Sequence, residues 1–337
     1  MGRAFDWKFW AGMVISAVFL YAALRQVDLT RLWEVLRTAA PLALGAAVFL
    51  VLSQHVIRAL RWRLFLDPVH STSMQNRLLA TLVGFAANCL LPARIGEIIR
   101  ANYLGVREGF SGSSALATVV VERLFDGLTL LLILQIGLQV TAFPPEWQAL
   151  GTSLQAVGFL LLGAYAAIIL LLLGFKWKAH ACLELMDRML FFLPKGFRSK
   201  VTHAAWNFSL GIVLLKRSRS WAAAVLLSCL IWSFGLVQIQ AVAVSLGLHL
   251  PFMATFLILA VTSFGVMIPS APGFIGTFHL AVQYGFLVYG FTPEEGLSAG
   301  ILLHAAFFVP TILTGTGSFL LIHTPLGRLA SVRVPSK

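Results

Sequence analysis

Six apolar runs, each near the length a helix needs to cross a bilayer, constrain this sequence most: residues 9–24, 41–57, 113–140, 152–175, 220–246 and 297–322. About 20 apolar residues span the hydrocarbon core. Composition supports the same reading, with 59% hydrophobic and 11% charged residues, too little charge to cover a water-facing surface when soluble domains carry about 25%. The chain reads as an all-α polytopic membrane protein. Its run 9–24 is followed directly by Arg25 and reads as an uncleaved first span rather than a secretory signal.

Two further apolar stretches are broken in the middle. Residues 78–104 are interrupted from Leu91 to Glu97, and 252–289 from Pro269 to Gly273. Proline removes a backbone donor and disfavours helix in the residue before it. Each stretch is therefore expected to be two half-helices, hinged at Pro92 and Gly96 in the first case and at Pro269, Pro272, Gly273 and Gly276 in the second.

Placing the basic residues orients the spans. With the N-terminus inside, only Arg25, Arg31 and Arg37 of the 25 Lys and Arg fall outside, and Arg123 falls within a span. The positive-inside bias then puts both termini in the cytoplasm of a multi-pass cell (inner) membrane protein. The net charge of +12 is accounted for by cytoplasmic loops and by contact with anionic lipid on that face. No aromatic-interleaved basic module suggests nucleic acid. In this frame the broken stretch 78–105 enters from inside and 252–290 from outside, both re-entrant. Segment 176–219 is basic with short apolar clusters and reads as an amphipathic cytoplasmic stretch.

The two breaks resemble each other. Pro92-Ala93-Arg94-Ile95-Gly96 matches Pro272-Gly273-Phe274-Ile275-Gly276 at a separation of 180 residues. Each follows the second span of a group of three, so two repeats of opposite topology are expected, 1–140 and 141–322, followed by a tail, 323–337. Inverted repeats with discontinuous helices are common in secondary transporters.

Charge inside the bilayer is costly and rarely faces lipid. Glu122, Arg123 and Asp126 lie in the third span, where Arg123 can bridge towards either acid; the alternative is a self-neutralised group near the interface. At the first break, a half-helix opening near Pro92 presents free amides, Arg94 in its first turn, and Glu97 and Arg100 three residues apart. Asn88 closes the preceding half-helix. The second break offers only Ser270, Thr277 and His279, the last of which titrates, pairs with an acid or is simply hydrogen-bonded. Phosphate-binding loops, zinc motifs and nucleophile elbows are lacking, and no metal or cofactor is expected. The cysteines, Cys89, Cys182 and Cys229, have no ligand spacing and read as packing residues.

The run Asn88-Cys89-Leu90-Leu91-Pro92-Ala93-Arg94-Ile95-Gly96-Glu97-Ile98-Ile99-Arg100, followed by Val121-Glu122-Arg123-Leu124-Phe125-Asp126 and later Pro272-Gly273-x-x-Gly276, resembles the transmembrane flippase region of lysylphosphatidylglycerol synthases and their stand-alone relatives. The resemblance implies movement of a polar-headed lipid between leaflets. It also implies roles for Asn88, Pro92, Arg94, Gly96, Glu97, Arg100, Glu122, Arg123 and Asp126. The soluble aminoacyl-transferase domain is not among these residues, so lipid lysylation is not expected of them. Relatives often carry Glu where this chain has His279.

The reading is a lipid translocase whose substrate is a phospholipid or polyprenyl-phosphate type of lipid. Arg94, Arg100 and Arg123 would hold phosphate, while Glu97, Glu122 and Asp126 set their geometry or meet a cationic substituent. A membrane-embedded lipid-modifying enzyme and a non-catalytic subunit of a glycosyltransferase or lipid synthase are the alternatives. A homo-oligomer or a lipid-synthesis enzyme is a possible partner.

Overall fold

The computed structural model describes residues 7–91, 94–191, 194, 196 and 218–321. Within them the chain is all helical: α1 (Trp7–Leu24), α2 (Leu29–Arg37), α3 (Pro41–Leu66), α4 (Met74–Leu90), α5 (Gly96–Glu108), α6 (Gly112–Val140), α7 (Gln148–Met189), α8 (Ser218–Ser245), α9 (Ala254–Gly265), α10 (Thr277–Leu287) and α11 (Pro293–Leu321). Short 3-10 turns occupy Pro145–Trp147 and Pro272–Phe274.

Local signals set several of these boundaries. Asp28 caps α2 by accepting from the backbone N–H of Thr30 and Arg31. Ser73 caps α4. Thr292 and Glu295 form a reciprocal capping box at the start of α11. Pro41 opens α3, where its missing N–H costs nothing. Gly109, with φ 74°, closes α5.

Among the described residues, four helical stretches are long and apolar enough to cross a membrane: Pro41–Leu66, Pro145–Leu170, Trp221–Ser245 and Pro293–Leu320. Trp10–Leu24 and Leu29–Arg37, bent by 85° from one another, count as a fifth only where the pair is taken as one span. Helix α6 is as long as these, with 29 residues, but carries three charged ones. An all-α polytopic membrane protein is the result.

Two helices outrun their apolar stretches. Helix α3 continues past Ile57 to Leu66, because Arg58 and Arg61 find partners inside the protein. Helix α7 runs unbroken through Lys176 to Met189, so the first part of the basic segment extends that helix; most of the remainder, like Pro92 and the tail 323–337, lies outside the described residues.

The helices recur along the chain. Pro41, Met74, Gly96 and Gly112 begin α3 to α6, and Ser218, Ala254, Thr277 and Pro293 begin α8 to α11, at separations of 177, 180, 181 and 181 residues. Their packing recurs as well. Helix α3 packs on α8; α4 packs on α11 as α9 packs on α6; α4–α5 and α5–α6 correspond to α9–α10 and α10–α11. Glycines permit the two matching crossings. A Cβ on Gly137 of α6 would lie 2.6 Å from the Leu257 amide nitrogen of α9, and one on Gly315 of α11 would collide with Leu82 and Ala86 of α4. Small residues at membrane helix crossings let backbones approach.

Candidate functional site

At the first break α4 ends on Leu91 in extended conformation, and Arg94 takes φ 52° before α5 begins at Gly96. Gly96 is buried against α4, where a Cβ would strike the Gly84 carbonyl and come within 2.5 Å of Asn88 Oδ1. This close approach aims the first turns of α5, with Glu97 and Arg100, at α6 and α3.

There the charged side chains interlock. Arg100 Nη2 lies 2.8 Å from Glu97 Oε2 and 2.8 Å from Glu122 Oε2. Arg61 of α3 reaches Asp126 at 2.7 Å, Glu122 at 3.3 Å and Ser228 of α8 at 2.7 Å. Arg58 lies 3.4 Å from Asp126. Arg123 meets Asp126 at 3.2 Å and Glu97 at 3.5 Å. Asn88 Nδ2 donates to Glu97 at 3.5 Å. Arginine suits such a site because its planar fork can serve two carboxylates at once.

Burial divides the members. Arg61, Arg100 and Glu122 are fully buried, and the Arg100 guanidinium also lies 4.9 Å from the Trp62 ring. Arg123 keeps 38% of its side chain exposed and Glu97 21%. The inner members thus form a closed scaffold, and Arg123 with Glu97 forms its accessible edge. Pairing is what makes such burial tolerable, since removing one partner of a buried ion pair typically costs 3–5 kcal/mol. Four arginines face three carboxylates, an excess of one positive charge. The Nε donors of Arg61 and Arg123 are buried and have no acceptor among the described residues.

The second break is uncharged. Gly273 and Gly276 take φ 78° and 93°, and Phe274 takes φ 54°. A Cβ on Gly276 would collide with the Ser16 carbonyl of α1, and Ser16 Oγ accepts from Ala271 N at 2.9 Å. Thr277 donates to Ser270 at 3.3 Å and to the Phe274 carbonyl at 3.2 Å. Pro269 sits exposed in the irregular stretch between the helices. His279 meets no acid among the described residues; its ring lies 4.8 Å from that of His304 on α11, and His304 Nε2 bonds the Gly273 carbonyl at 2.8 Å.

The two breaks touch. Arg94 donates to the Val266 carbonyl at 2.9 Å, and its guanidinium lies 5.7 Å from the Phe274 ring centre. Of the charged residues expected to act together, Glu97, Arg100, Glu122, Arg123 and Asp126 form one network, whereas Arg94 turns away to the second break. Arg123 bridges to Asp126 and Glu97, while Glu122 is held by Arg61 and Arg100. Adjacent helix residues point about 100° apart, so Arg123 and Glu122 do not face one another.

Sequence reasoning missed Arg58, Arg61 and His304. The apolar run 41–57 stops just before the arginines, which were counted as loop charge. A helical signal is present nonetheless: Gln54, His55, Arg58 and Arg61 fall on one side of α3, and three of them, Gln54, His55 and Arg61, are buried.

Comparison with known proteins adds the family context. The family model described as the lysylphosphatidylglycerol synthase TM region matches residues 9–315. Glycosyltransferase AglD of Haloferax volcanii is 24% identical across 94% of this chain and 54% of its own length. A UPF0104 membrane protein of Methanocaldococcus jannaschii is 23% identical across 89% of this chain and 91% of its own length. The chain thus spans about half of the first relative and nearly all of the second.

Proposed function

Because the chain belongs to the lysylphosphatidylglycerol synthase TM region family, we propose that it moves a phosphate-bearing, polar-headed lipid between the leaflets of the membrane. The observation that carries this reading is the buried arginine–carboxylate network on α3, α5 and α6, with one arginine in excess and Arg123 at its accessible edge. Charge so placed is rarely retained without a use, and an unmatched guanidinium in low dielectric is a strong phosphate ligand.

In this reading Arg123, at the accessible edge of the network, and Arg94, exposed in the first break, meet the head group. Arg61 and Arg100 are positioning residues that hold Glu122, Asp126 and Glu97 in place. The acyl or prenyl tail stays in lipid along the apolar helices. The recurring packing of α3–α6 and α8–α11 supports two inverted repeats that rock about the α3–α8 contact, with both broken segments re-entrant and both termini cytoplasmic.

The test uses proteoliposomes containing a phospholipid labelled on its head group. An impermeant reductant quenches only the outer leaflet, so translocation raises the fraction quenched above one half. Wild-type protein is expected to do so, and Arg123→Ala to abolish it. Quenching that stays at one half for wild-type protein over a panel of phospholipids and polyprenyl phosphates would overturn the reading.

The name of the Haloferax volcanii relative favours a second reading, in which the chain is the membrane part of a glycosyl-transfer system. It is separated from the first by the same vesicles, since a membrane subunit without transport leaves quenching at one half.

A further inference from the structure

The second break holds a pair of imidazoles that the network above does not use. His279 on α10 and His304 on α11 lie 4.8 Å apart with their rings tilted by 34°. Gly300, one turn before His304, packs on the His279 backbone; a Cβ there would make ordinary van der Waals contact with the His279 carbonyl oxygen at 3.4 Å. His304 Nε2 bonds the Gly273 carbonyl, which only accepts, so this nitrogen carries the hydrogen and Nδ1 is left as an acceptor. His279 Nδ1 is buried without a partner among the described residues.

Their surroundings are aromatic. The His304 ring stacks on Phe308 at 3.8 Å, Phe278 packs edge-on to His304 at 5.3 Å, and Phe308 meets Phe274 at 6.2 Å. Of the helices packed on α10 and α11, α2 carries Arg31, Glu34 and Arg37 and α3 carries Arg58, Arg61 and Arg63, while the others are poor in charge. Helix α9 has no ionisable residue, and α4 has Arg77 in its first turn and Cys89, buried, near its end. Helix α10 adds Tyr284. On the described side of α1, Ser16 faces the turn. Helix α11 has Glu294 and Glu295 in its first turn, about 15 Å from His304 by helix rise, where Glu294 accepts the Asp28 N–H and Glu295 the Thr292 N–H. His55 on α3 is reached through Phe307, and the Arg94 guanidinium lies 5.7 Å from the Phe274 ring centre.

We propose that His279 and His304 form a proton-binding site that takes up a single proton and sets how firmly the two breaks are joined. Two imidazoliums this close in low dielectric repel strongly, so the pair takes up one proton rather than two. That proton puts a second cation on the aromatic cluster where Arg94 already rests, and weakens the hold of Arg94 on Phe274 and Val266. Protonation thereby favours separation of the breaks. The link to transport rests on the translocase reading; the proton site does not.

The test is an NMR titration of imidazole nitrogens in 15N-histidine-labelled protein in nanodiscs. The two rings are expected to gain one proton in total, and His279→Gln to move the His304 midpoint by about half a pH unit or more. His304→Gln, whose Nε2 can keep the donor to Gly273, replaces it, with the His279 midpoint as the reading, if the first variant folds poorly. Two full, independent titrations, or no uptake by either ring before the protein unfolds, would overturn the site. In proteoliposomes an imposed pH gradient is expected to change the wild-type translocation rate severalfold, and the ratio with and without gradient to collapse to about one in the His279→Gln/His304→Gln double variant. An unchanged ratio in that variant, or a wild-type ratio of one, overturns the coupling. Wild-type vesicles that move no lipid at all sink the translocase reading and the coupling, while the titration still decides the site.

Discussion

Arg94 and Phe274, 180 residues apart in a chain whose helices recur at that spacing, touch each other where the two broken segments meet. They are also the two non-glycine residues with positive φ among those described, at 52° and 54°. A side-chain-bearing residue in that conformation costs on the order of 1–3 kcal/mol. Matching positions of two similar segments therefore share an unfavourable turn and contact one another across the interface between the halves.

This contact separates a backbone requirement from a side-chain one. Arg94→Gly is expected to preserve or slightly raise thermal stability, because glycine adopts positive φ freely, while reducing lipid translocation. Arg94→Lys should give an intermediate rate, since lysine keeps the charge but loses the planar fork that bonds Val266 and covers Phe274. Equal rates for wild type, Arg94→Lys and Arg94→Gly in the vesicle assay would show that the side chain takes no part.

Arg61 is expected to be the most structurally sensitive arginine. Arg61→Met leaves Glu122 and Asp126 short of a partner and should destabilise the protein by roughly 3–5 kcal/mol. Adding Glu122→Gln should recover part of that loss without restoring transport. Arg123→Ala, at the accessible edge, should cost less stability and as much activity. Thermal unfolding in detergent distinguishes these; a larger loss for Arg123 than for Arg61 would contradict the division into scaffold and edge.

Gly96→Ala forces a methyl group into the Gly84 carbonyl and the Asn88 side chain. Overpacking of this kind costs about 1–3 kcal/mol, and Asn88→Ala in the same chain should relieve only the side-chain half of the clash. Melting temperatures of the single and double variants are the measurement; a neutral Gly96→Ala would mean that α4 and α5 separate readily.

The orientation is open to a labelling test. Cysteines placed at Glu146 and at Arg107, both exposed, should react with an impermeant maleimide from opposite sides, Glu146 in intact cells and Arg107 after permeabilisation. Labelling of both from one side would refute the proposed orientation and the inverted repeat together.

Asp28 supplies the pH dependence. The N–H groups of Thr30 and Arg31 hold its carboxyl below the usual carboxylate range. A lowered value in the folded state means the cap stabilises α2 above the unfolded pKa, near 3.9, and is lost as pH falls through the folded one. Hydrogen exchange in α2 should rise in acid below that point, and at neutral pH in Asp28→Ala; exchange that is unchanged in Asp28→Ala would show that the cap is idle.

What the sequence by itself determined is local or additive. Run length and scarce charge made this an all-α membrane protein, Pro and Gly placed both breaks, and i,i+3 spacing put Glu97 with Arg100 and Arg123 with Asp126. Partner choice between helices was decided only by tertiary structure. The run 41–57 ended at Arg58 because a guanidinium without a partner belongs outside the bilayer. Packing of α3 on α6 and α8 supplies that partner and carries Arg61 into the network. Arg94 likewise sat in the right turn, but its positive φ and the contact of the two breaks send it to Phe274 instead of towards Glu97. His279 and His304, 25 residues apart in the chain, became neighbours because α10 packs along α11. Periodicity states which face a residue occupies; the crossing of two helices decides what that face meets.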